Sequence, residues 1–264
     1  MWGKAKKAQA SCPVKIGNIH HIGQRESQQD SFSISELSNS ELCSGKGVFA
    51  VVADGMGGME GGGTISNIVT QTMLRHFNET PEGRPAEVEL LDMLIAANDN
   101  VAHYLKDNEN GGSTVVAVII RDGSLFWVAV GDSRIYLLRQ GAAIQINREH
   151  TYAVELDEKA AMGEISFEDA RGDSQRSALT SYIGMKTLEK IDRNLRPVRL
   201  VDGDLVLLMS DGVFGALDDD EILEAMTDVP QKSAANLQKR VLEKQNPNQD
   251  NFTAVIFEYR GGQS

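Results

Sequence analysis

The stretch LVLLMSDGVF (205–214) combines five consecutive apolar residues with an Asp-Gly turn. VFAVVADG (48–55) and LFWVAVGDS (125–133) have the same form, an apolar run that ends in glycine and aspartate. Short runs of this kind, bounded by turn residues, are typical of buried β-strands. The sequence therefore predicts several strands, each with an aspartate at the carboxyl end of the strand.

Strands dominate the readable pattern. Runs of strand length, rich in apolar, β-branched or aromatic residues, occur at 47–53, 114–120, 125–130, 134–139, 205–209 and 252–259. The turn RDG (121–123) joins two of them as a β-hairpin over 114–130. GDSR (131–134) is an equally short link, so we expect the strands on either side of it to be antiparallel neighbours as well.

Helical periodicity is found at 64–77, 87–105 and 231–244. Helices and hairpins come in blocks and do not alternate as in βαβ units, which predicts an α+β fold built on antiparallel sheet in one domain. The segment 151–180 is rich in charged residues and glycine. It fits a surface excursion of short helices, or a mobile flap beside a site.

Composition excludes several classes of function. The 264 residues carry 26 Lys and Arg against 38 Asp and Glu, a net charge of −12 that disfavours nucleic acid and anionic lipid as partners. No apolar run reaches the ~18–20 residues that span a bilayer. Residues 1–14 are interpreted as a loose tail, and the unpaired Cys12 and Cys43 favour a reducing compartment. We expect a cytoplasmic protein.

Five aspartates stand at strand ends. Asp54, Asp132 and Asp211 follow strands, whereas Asp30 and Asp250 precede them. Neighbouring antiparallel strands run in opposite directions, so all five can collect at one edge. Gathered carboxylates repel each other, and hard divalent ions such as Mg²⁺, Mn²⁺ or Ca²⁺ remove that cost. Each aspartate taken alone fits ordinary turn chemistry, so the pattern leaves both interpretations open.

Two further features adjoin these aspartates. DGMGGMEGGG (54–63) lacks both the GK[ST] ending of a P-loop and the G-x-G-x-x-G spacing, but its glycines let backbone approach a ligand closely. Arg25 either braces the carboxylates or acts as a fork for a phosphate. Arg134 and His150 are interpreted as structural residues.

The ordered set of motifs carries a family resemblance. The motifs are R-x-x-x-Q-D (25–30), VVADGMGG (51–58), GSTVVAVII (112–120), VAVGDSRIY (128–136), ALTSYIG (178–184), LVLLMSDGVF (205–214) and QDNFTAVIF (249–257). From about Gly17 to Tyr259 the chain resembles the metal-dependent protein Ser/Thr phosphatases of the type 2C class (the PPM family). The DGMGG motif (54–58) is similar to the one in the bacterial branch of this family.

The resemblance implies a four-layer α-β-β-α sandwich, two stacked antiparallel sheets flanked by helices, in a single domain over 15–260 with its flap at about 151–180. It implies two Mn²⁺ or Mg²⁺ ions and, as in bacterial members, a third. The implied ligands are Asp54, the Gly55 carbonyl, Asp132, Asp211 and Asp250. Asp54 bridges two ions, and Asp132 with Asp211 holds the third.

The resemblance also implies a mechanism. Water held between two ions attacks the phosphorus of phosphoserine or phosphothreonine directly, Asp30 orients that water, and Arg25 binds the phosphoryl group. The implied partners are phosphorylated proteins and an opposing Ser/Thr kinase, and we expect a monomer. Met56 and Met59 stand where some members carry a histidine proposed to protonate the leaving group, so that acid is unassigned.

Three alternatives stay open. The first is a catalytically weak or inactive relative that binds phosphoproteins as a regulator. Retention of all five aspartates disfavours it, because loss of ligands is its expected mark. The second is a phosphatase dedicated to one switch protein, and the third is a phosphohydrolase of a small molecule.

Overall fold

The computed structural model describes residues 12–57, 61–106 and 110–261. Its strands are β1 (Val14–His21), β2 (Asp30–Ile34), β3 (Val48–Gly57), β4 (Gly111–Ser113), β5 (Val115–Arg121), β6 (Ser124–Val130), β7 (Arg134–Arg139), β8 (Ala142–Gln145), β9 (Asp192–Arg193), β10 (Val198–Arg199), β11 (Leu205–Met209) and β12 (Phe252–Tyr259). Its helices are α1 (Ser40–Gly45), α2 (Gly61–Glu79), α3 (Ala86–Leu105), α4 (Tyr152–Ala161), α5 (Phe167–Gly172), α6 (Asp211–Phe214), α7 (Asp219–Ala225) and α8 (Pro230–Glu243).

Two antiparallel sheets form the centre of the molecule. The first has the strand order β1-β12-β11-β7-β8. The second has the order β10-β6-β5-β3-β2, with β4 on β3 and β9 on β6. Helices α2 and α3 cover the second sheet, and α6, α7 and α8 cover the first. The predicted α+β four-layer sandwich is confirmed.

Alternation along the strands explains the layers. In β3, Phe49 and Val51 pack against α2 and α3, while Val48, Ala50 and Val52 face the other sheet. Successive side chains of a strand point to opposite faces, so a strand covered on both sides is apolar throughout. This is why β3, β5 and β12 have continuous apolar runs.

The link at 121–123 forms the predicted hairpin. β5 pairs with β6 antiparallel, and Asp122 and Gly123 have φ values of 50° and 65°. Positive φ at both central residues is the mark of the two-residue turn that matches strand twist.

The prediction for the link at 131–134 is wrong. β6 and β7 lie in different sheets, and the short connection crosses the sandwich from one sheet to the other. A link of this length fits an antiparallel neighbour in the same sheet or a strand stacked on it, and the sequence does not distinguish the two.

Segment 151–180 contains the two short helices α4 and α5. They pack on a small cluster of their own, made of Leu156, Ala160 and Ala170. The expected surface excursion of short helices is thus confirmed. No helix among the described residues is both long enough and apolar enough to cross a membrane.

The N-terminal region is described only from Cys12. Residues 1–11 of the expected tail lie outside the described residues, and β1 begins at Val14. Cys12 lies within hydrogen-bonding reach of Cys43, and burial and this neighbour raise the pKa of Cys43 to about 12. Both thiols are free, as expected, although the fold brings the two distant positions together.

The core between the sheets generates the first prediction. Phe257 is fully buried there, opposite Ile16 and Val206 in the strand register. Phe257→Ala should lower the free energy of unfolding by about 3–5 kcal/mol, because it removes the ring and leaves a cavity. Urea denaturation of the metal-free protein measures the change.

The matched control is Leu195→Ala, whose side chain is largely exposed. It should change the free energy of unfolding by at most about 0.5 kcal/mol. Equal effects of the two substitutions would contradict the assignment of the inter-sheet core.

Candidate metal centre

The five predicted aspartates meet at one end of the sandwich. Asp30 and Asp54 are direct partners in the β2–β3 register. Asp211 follows β11 and Asp250 precedes β12, two strands that pair antiparallel in the other sheet. Asp132 lies in the crossover between the sheets. The carboxylates therefore come from both sheets, and not from the edge of a single one.

A cavity of about 250 Å³ opens between these residues. It is lined by Arg25, Gln29, Asp54, Gly55, Met56, Gly57, Thr114, Asp132, Leu179, Asp211 and Asp250. Asp30 is not among the lining residues. It is only 4% exposed, and its Oδ2 accepts a hydrogen bond from Ser210 Oγ at 2.7 Å. Met59, the second methionine of the glycine run, lies outside the described residues.

The burial and mutual repulsion of the aspartates at this end disfavour their charged forms when no cation is bound. Burial, followed by the charges of Asp30 and Asp211, raises the pKa of Asp54 well above its ordinary value. Burial raises the pKa of Asp30 to about 7 and that of Asp132 to about 7. The pKa of Asp211 is raised by burial and then by Asp250. These carboxyl groups thus retain protons that isolated aspartates would have lost.

The residues fit hard divalent ions. Asp30 Oδ1 and Asp211 Oδ1 are buried and have no hydrogen-bond partner. Within the described ranges, no three His, Cys, Asp or Glu side chains converge tightly enough to hold an ion as they stand. An all-oxygen donor set is the one that Mg²⁺ and Mn²⁺ prefer.

The backbone around Asp54 is fixed by hydroxyl groups. Asp54 N donates to Thr114 Oγ1 at 3.1 Å, and Ser113 Oγ donates to the Asp54 carbonyl at 2.9 Å. Thr114 Oγ1 also contacts Ser133 Oγ at 2.7 Å, which links β3 to the crossover that carries Asp132. The sequence analysis did not predict these roles. The feature that could have indicated them is the presence of Ser113, Thr114 and Ser133 in the GST and GDS motifs.

Two glycines allow β3 to approach the start of α2. A Cβ atom on Gly55 would lie 2.0 Å from the Gly62 carbonyl oxygen, and one on Gly62 would lie 2.7 Å from the Gly55 carbonyl oxygen. Only glycine permits this contact. The glycine run was predicted to let the backbone approach a ligand closely. In the structure, the close approach is between two backbone segments of the chain itself, at Gly55 and Gly62.

Arg25 borders the cavity. Its Nη2 donates to Asp250 Oδ2 at 2.7 Å, and its side chain is 55% exposed. This contact matches the bracing role, and the position on the cavity wall leaves the phosphate role open. Arg134 is structural, as predicted, because it pairs with Glu149 at 2.5 Å and lies 3.9 Å above the Phe214 ring.

His150 holds the crossover in place. Its Nδ1 accepts from Gly131 N at 3.2 Å, and its own backbone N donates to the Gly131 carbonyl at 2.8 Å. Burial lowers the pKa of His150, which favours the neutral ring that this bond needs. The structural interpretation of His150 is confirmed.

Asn251 is a positioning residue that sequence reasoning missed. Its Nδ2 donates to the carbonyls of Ile22 at 2.7 Å and Ser27 at 3.1 Å, and its Oδ1 accepts from Gln29 N at 2.7 Å. These bonds tie the loop that carries Arg25 to the end of β12. The signal was its place directly after Asp250 in the QDN motif.

The fold is a four-layer α-β-β-α sandwich, and the carboxylate-lined cavity at one end of it would fit divalent cations. The family model described as Protein phosphatase 2C matches residues 19–245. The chain belongs to the protein phosphatase 2C family.

Two relatives illustrate the similarity. The chain is 32% identical over 210 residues to the serine/threonine protein phosphatase PstP of Mycobacterium tuberculosis, across 78% of this chain and 39% of that protein. It thus spans about two fifths of that relative's length. It is 28% identical over 219 residues to the serine/threonine phosphatase stp of Listeria monocytogenes, across 79% of this chain and 83% of that protein.

Solved structures share the fold. The crystal structure of the Mycobacterium tuberculosis phosphatase PstP/Ppp aligns with a TM-score of 0.76 and 26% identity, over 94% of this chain and 99% of that one. The PstP catalytic domain in complex with two manganese ions aligns with a TM-score of 0.74 and 24% identity, over 94% and 99%.

The raised pKa values generate the second prediction. A carboxyl group whose pKa is raised by folding binds protons more tightly in the native state, so its contribution to stability is lost as pH rises from about 4 to about 7. The metal-free protein should therefore lose stability over this range. Added Mn²⁺ should raise the Tm more at pH 7.5 than at pH 5.5, because protons compete with the ion for the same oxygens.

Thermal unfolding with EDTA and with 1 mM Mn²⁺ at both pH values measures the effect. Asp211→Asn should remove most of the Mn²⁺-induced shift, whereas Asp228→Asn, an exposed residue between α7 and α8, should leave it unchanged. A shift that is the same at both pH values, or in both variants, would contradict the assigned centre.

Proposed function

We propose that the chain is a metal-dependent protein serine/threonine phosphatase that hydrolyses phosphoserine and phosphothreonine. The observation that carries the proposal is the convergence of four aspartates, Asp54, Asp132, Asp211 and Asp250, on one open cavity, with the buried Asp30 as the register partner of Asp54, in a member of the protein phosphatase 2C family. The two relatives described above are both named serine/threonine phosphatases, which supports the substrate class.

We assign the metal-holding role to Asp54, the Gly55 carbonyl, Asp132, Asp211 and Asp250. Asp54 lies centrally, since it is coupled electrostatically to Asp30, Asp132 and Asp211. These residues would hold two Mn²⁺ or Mg²⁺ ions, and Asp132 with Asp211 would hold a third. When bound, such ions supply a water of lowered pKa as nucleophile and offset the charge of the phosphoryl oxygens.

The remaining roles belong to side chains near the ions. To Asp30, whose Oδ2 accepts a hydrogen bond from Ser210 Oγ, we assign the role of orienting the attacking water. Arg25 provides a guanidinium at the cavity wall that can leave Asp250 and bind two phosphoryl oxygens once cations offset the carboxylates. Retention of these groups supports direct hydrolysis without a covalent phosphoenzyme.

The wider assignments follow from the same proposal. Residues 15–260 form one catalytic domain, and 151–180 act as its flap, because Leu179 lines the metal cavity. The partners are phosphorylated proteins and an opposing Ser/Thr kinase in the cytoplasm. The net charge of −12 argues against nucleic acid or an anionic membrane as a ligand. The proposal also includes a monomeric enzyme.

The third prediction concerns phosphate release from a phosphothreonine peptide. Release should require Mn²⁺ or Mg²⁺ and stop in EDTA. Asp211→Asn should lower kcat/KM by roughly a hundredfold or more, because a metal centre contributes several kcal/mol to transition-state stabilisation. Asp228→Asn is the matched control and should retain wild-type kcat/KM.

Two outcomes would overturn the proposal. Release that persists in EDTA would show that the carboxylate centre is not the catalyst. No release from a folded protein that binds Mn²⁺ would favour the phosphoprotein-binding regulator, with the unassigned leaving-group acid at Met56 and Met59 as the first cause to examine.

A further inference from the structure

A second cavity lies beside the metal centre, between the flap helix α4 and the segment 180–192. Its volume is about 420 Å³. Its lining includes five acidic side chains, Glu149, Glu155, Glu158, Glu189 and Asp192, and also Thr151. None of the roles assigned above uses this space.

The two cavities share a wall. Thr151, which lines the second cavity, forms a β-bridge with Leu179, which lines the metal cavity. Next to this bridge, Thr180 N donates to the His150 carbonyl at 2.8 Å, so the two backbone segments are joined at adjacent residues. A peptide that lies across the metal cavity would therefore carry its neighbouring side chains over this wall.

The second cavity is acidic. Five carboxylates line it against two cations, Arg148 and Lys190. Both cations are already engaged, since Arg148 pairs with Glu158 and Lys190 pairs with Glu155. Asp192 accepts a hydrogen bond from Trp127 Nε1 at 3.0 Å. Glu149 is paired as well, with Arg134, so the excess of negative charge that remains belongs to Glu189 and Asp192.

Two groups in the cavity lack partners within the described residues. Thr151 Oγ1 is buried in a residue that is 6% exposed and has no hydrogen-bond partner. Glu189 is exposed and forms no ion pair with any described residue. An unpartnered hydroxyl and a free carboxylate in the lining of one cavity are suited to a ligand that carries several N–H donors.

We propose that this acidic pocket binds an arginine or lysine side chain of the substrate, a few residues from the phosphorylated serine or threonine. The inference rests on the proposed phosphatase function and adds its substrate class, phosphoproteins with a basic side chain near the modified residue. A guanidinium provides five N–H donors and remains charged, which matches paired carboxylates and a hydroxyl. An acidic substrate segment would be repelled by the same carboxylates.

The test compares phosphothreonine peptides that differ in one residue. A neutral parent peptide is varied by placing a single arginine, or a single glutamate, at each position from −4 to +4. For each peptide kcat/KM is measured with Mn²⁺ at low and high ionic strength, beside p-nitrophenyl phosphate, which is too small to reach the second cavity. At least one arginine position should raise kcat/KM by about three- to tenfold, mainly through KM, and less at high salt.

The variants are Glu189→Gln in the pocket and Glu243→Gln on α8 as a control of equal charge change. Glu189→Gln should remove most of the arginine preference and leave the neutral peptide and p-nitrophenyl phosphate unchanged. Glu243→Gln should retain the preference. No preferred arginine position, or an equal loss for neutral and arginine peptides in Glu189→Gln, would overturn the inference.

Failure of the phosphatase function gives a different result. In that case neither p-nitrophenyl phosphate nor any peptide is hydrolysed with metal present. Fluorescence anisotropy of the labelled peptides then tests the pocket separately. Tighter binding of an arginine peptide that is lost in Glu189→Gln would support it, and equal binding of neutral and arginine peptides would reject it.

Discussion

The repulsion between buried carboxylates at one end of the sandwich is the constraint on which the rest of the structure depends. Asp30 and Asp54 face each other across a strand pair, and Asp211 and Asp250 lie at the end of the opposite sheet. Desolvation and like charge raise the pKa of Asp30, Asp54 and Asp211. A fold that keeps such a cluster carries a cost that divalent cations can offset.

The surrounding structure serves to hold these groups in place against that repulsion. Three layers of apolar contact fix the strands, and hydroxyl, amide and imidazole side chains fix the loops between them. Ser113 and Thr114 hold Asp54, His150 holds the crossover with Asp132, and Asn251 holds the loop with Arg25. None of these residues needs to contact a substrate to influence the reaction.

Much of the fold was predictable because strands buried on both faces leave continuous apolar runs. The predicted strands at 134–139, 205–209 and 252–259 coincide with β7, β11 and β12. The placement of β6 and β7 was not predictable, since a short link fits either one sheet or two. The edge strand β8 has too little apolar character to stand out, because half of its residues face solvent.

The sequence indicated which residues form the site, but not the contacts that those residues make. Aspartates at strand ends indicated a carboxylate cluster, and the structure brings Asp54, Asp132, Asp211 and Asp250 to one cavity. Their separate roles came from the family resemblance and stay predictions. The acidic pocket was not predictable, since helix α4 and the segment 189–192 come to line one cavity only in the folded chain.

Anomalous diffraction at the manganese edge, from crystals grown with Mn²⁺, tests the central claim most directly. The account predicts two strong peaks between Asp54, the Gly55 carbonyl, Asp211 and Asp250, with a third beside Asp132. Peaks confined to other acidic surfaces, or none between these aspartates at saturating Mn²⁺, would contradict it.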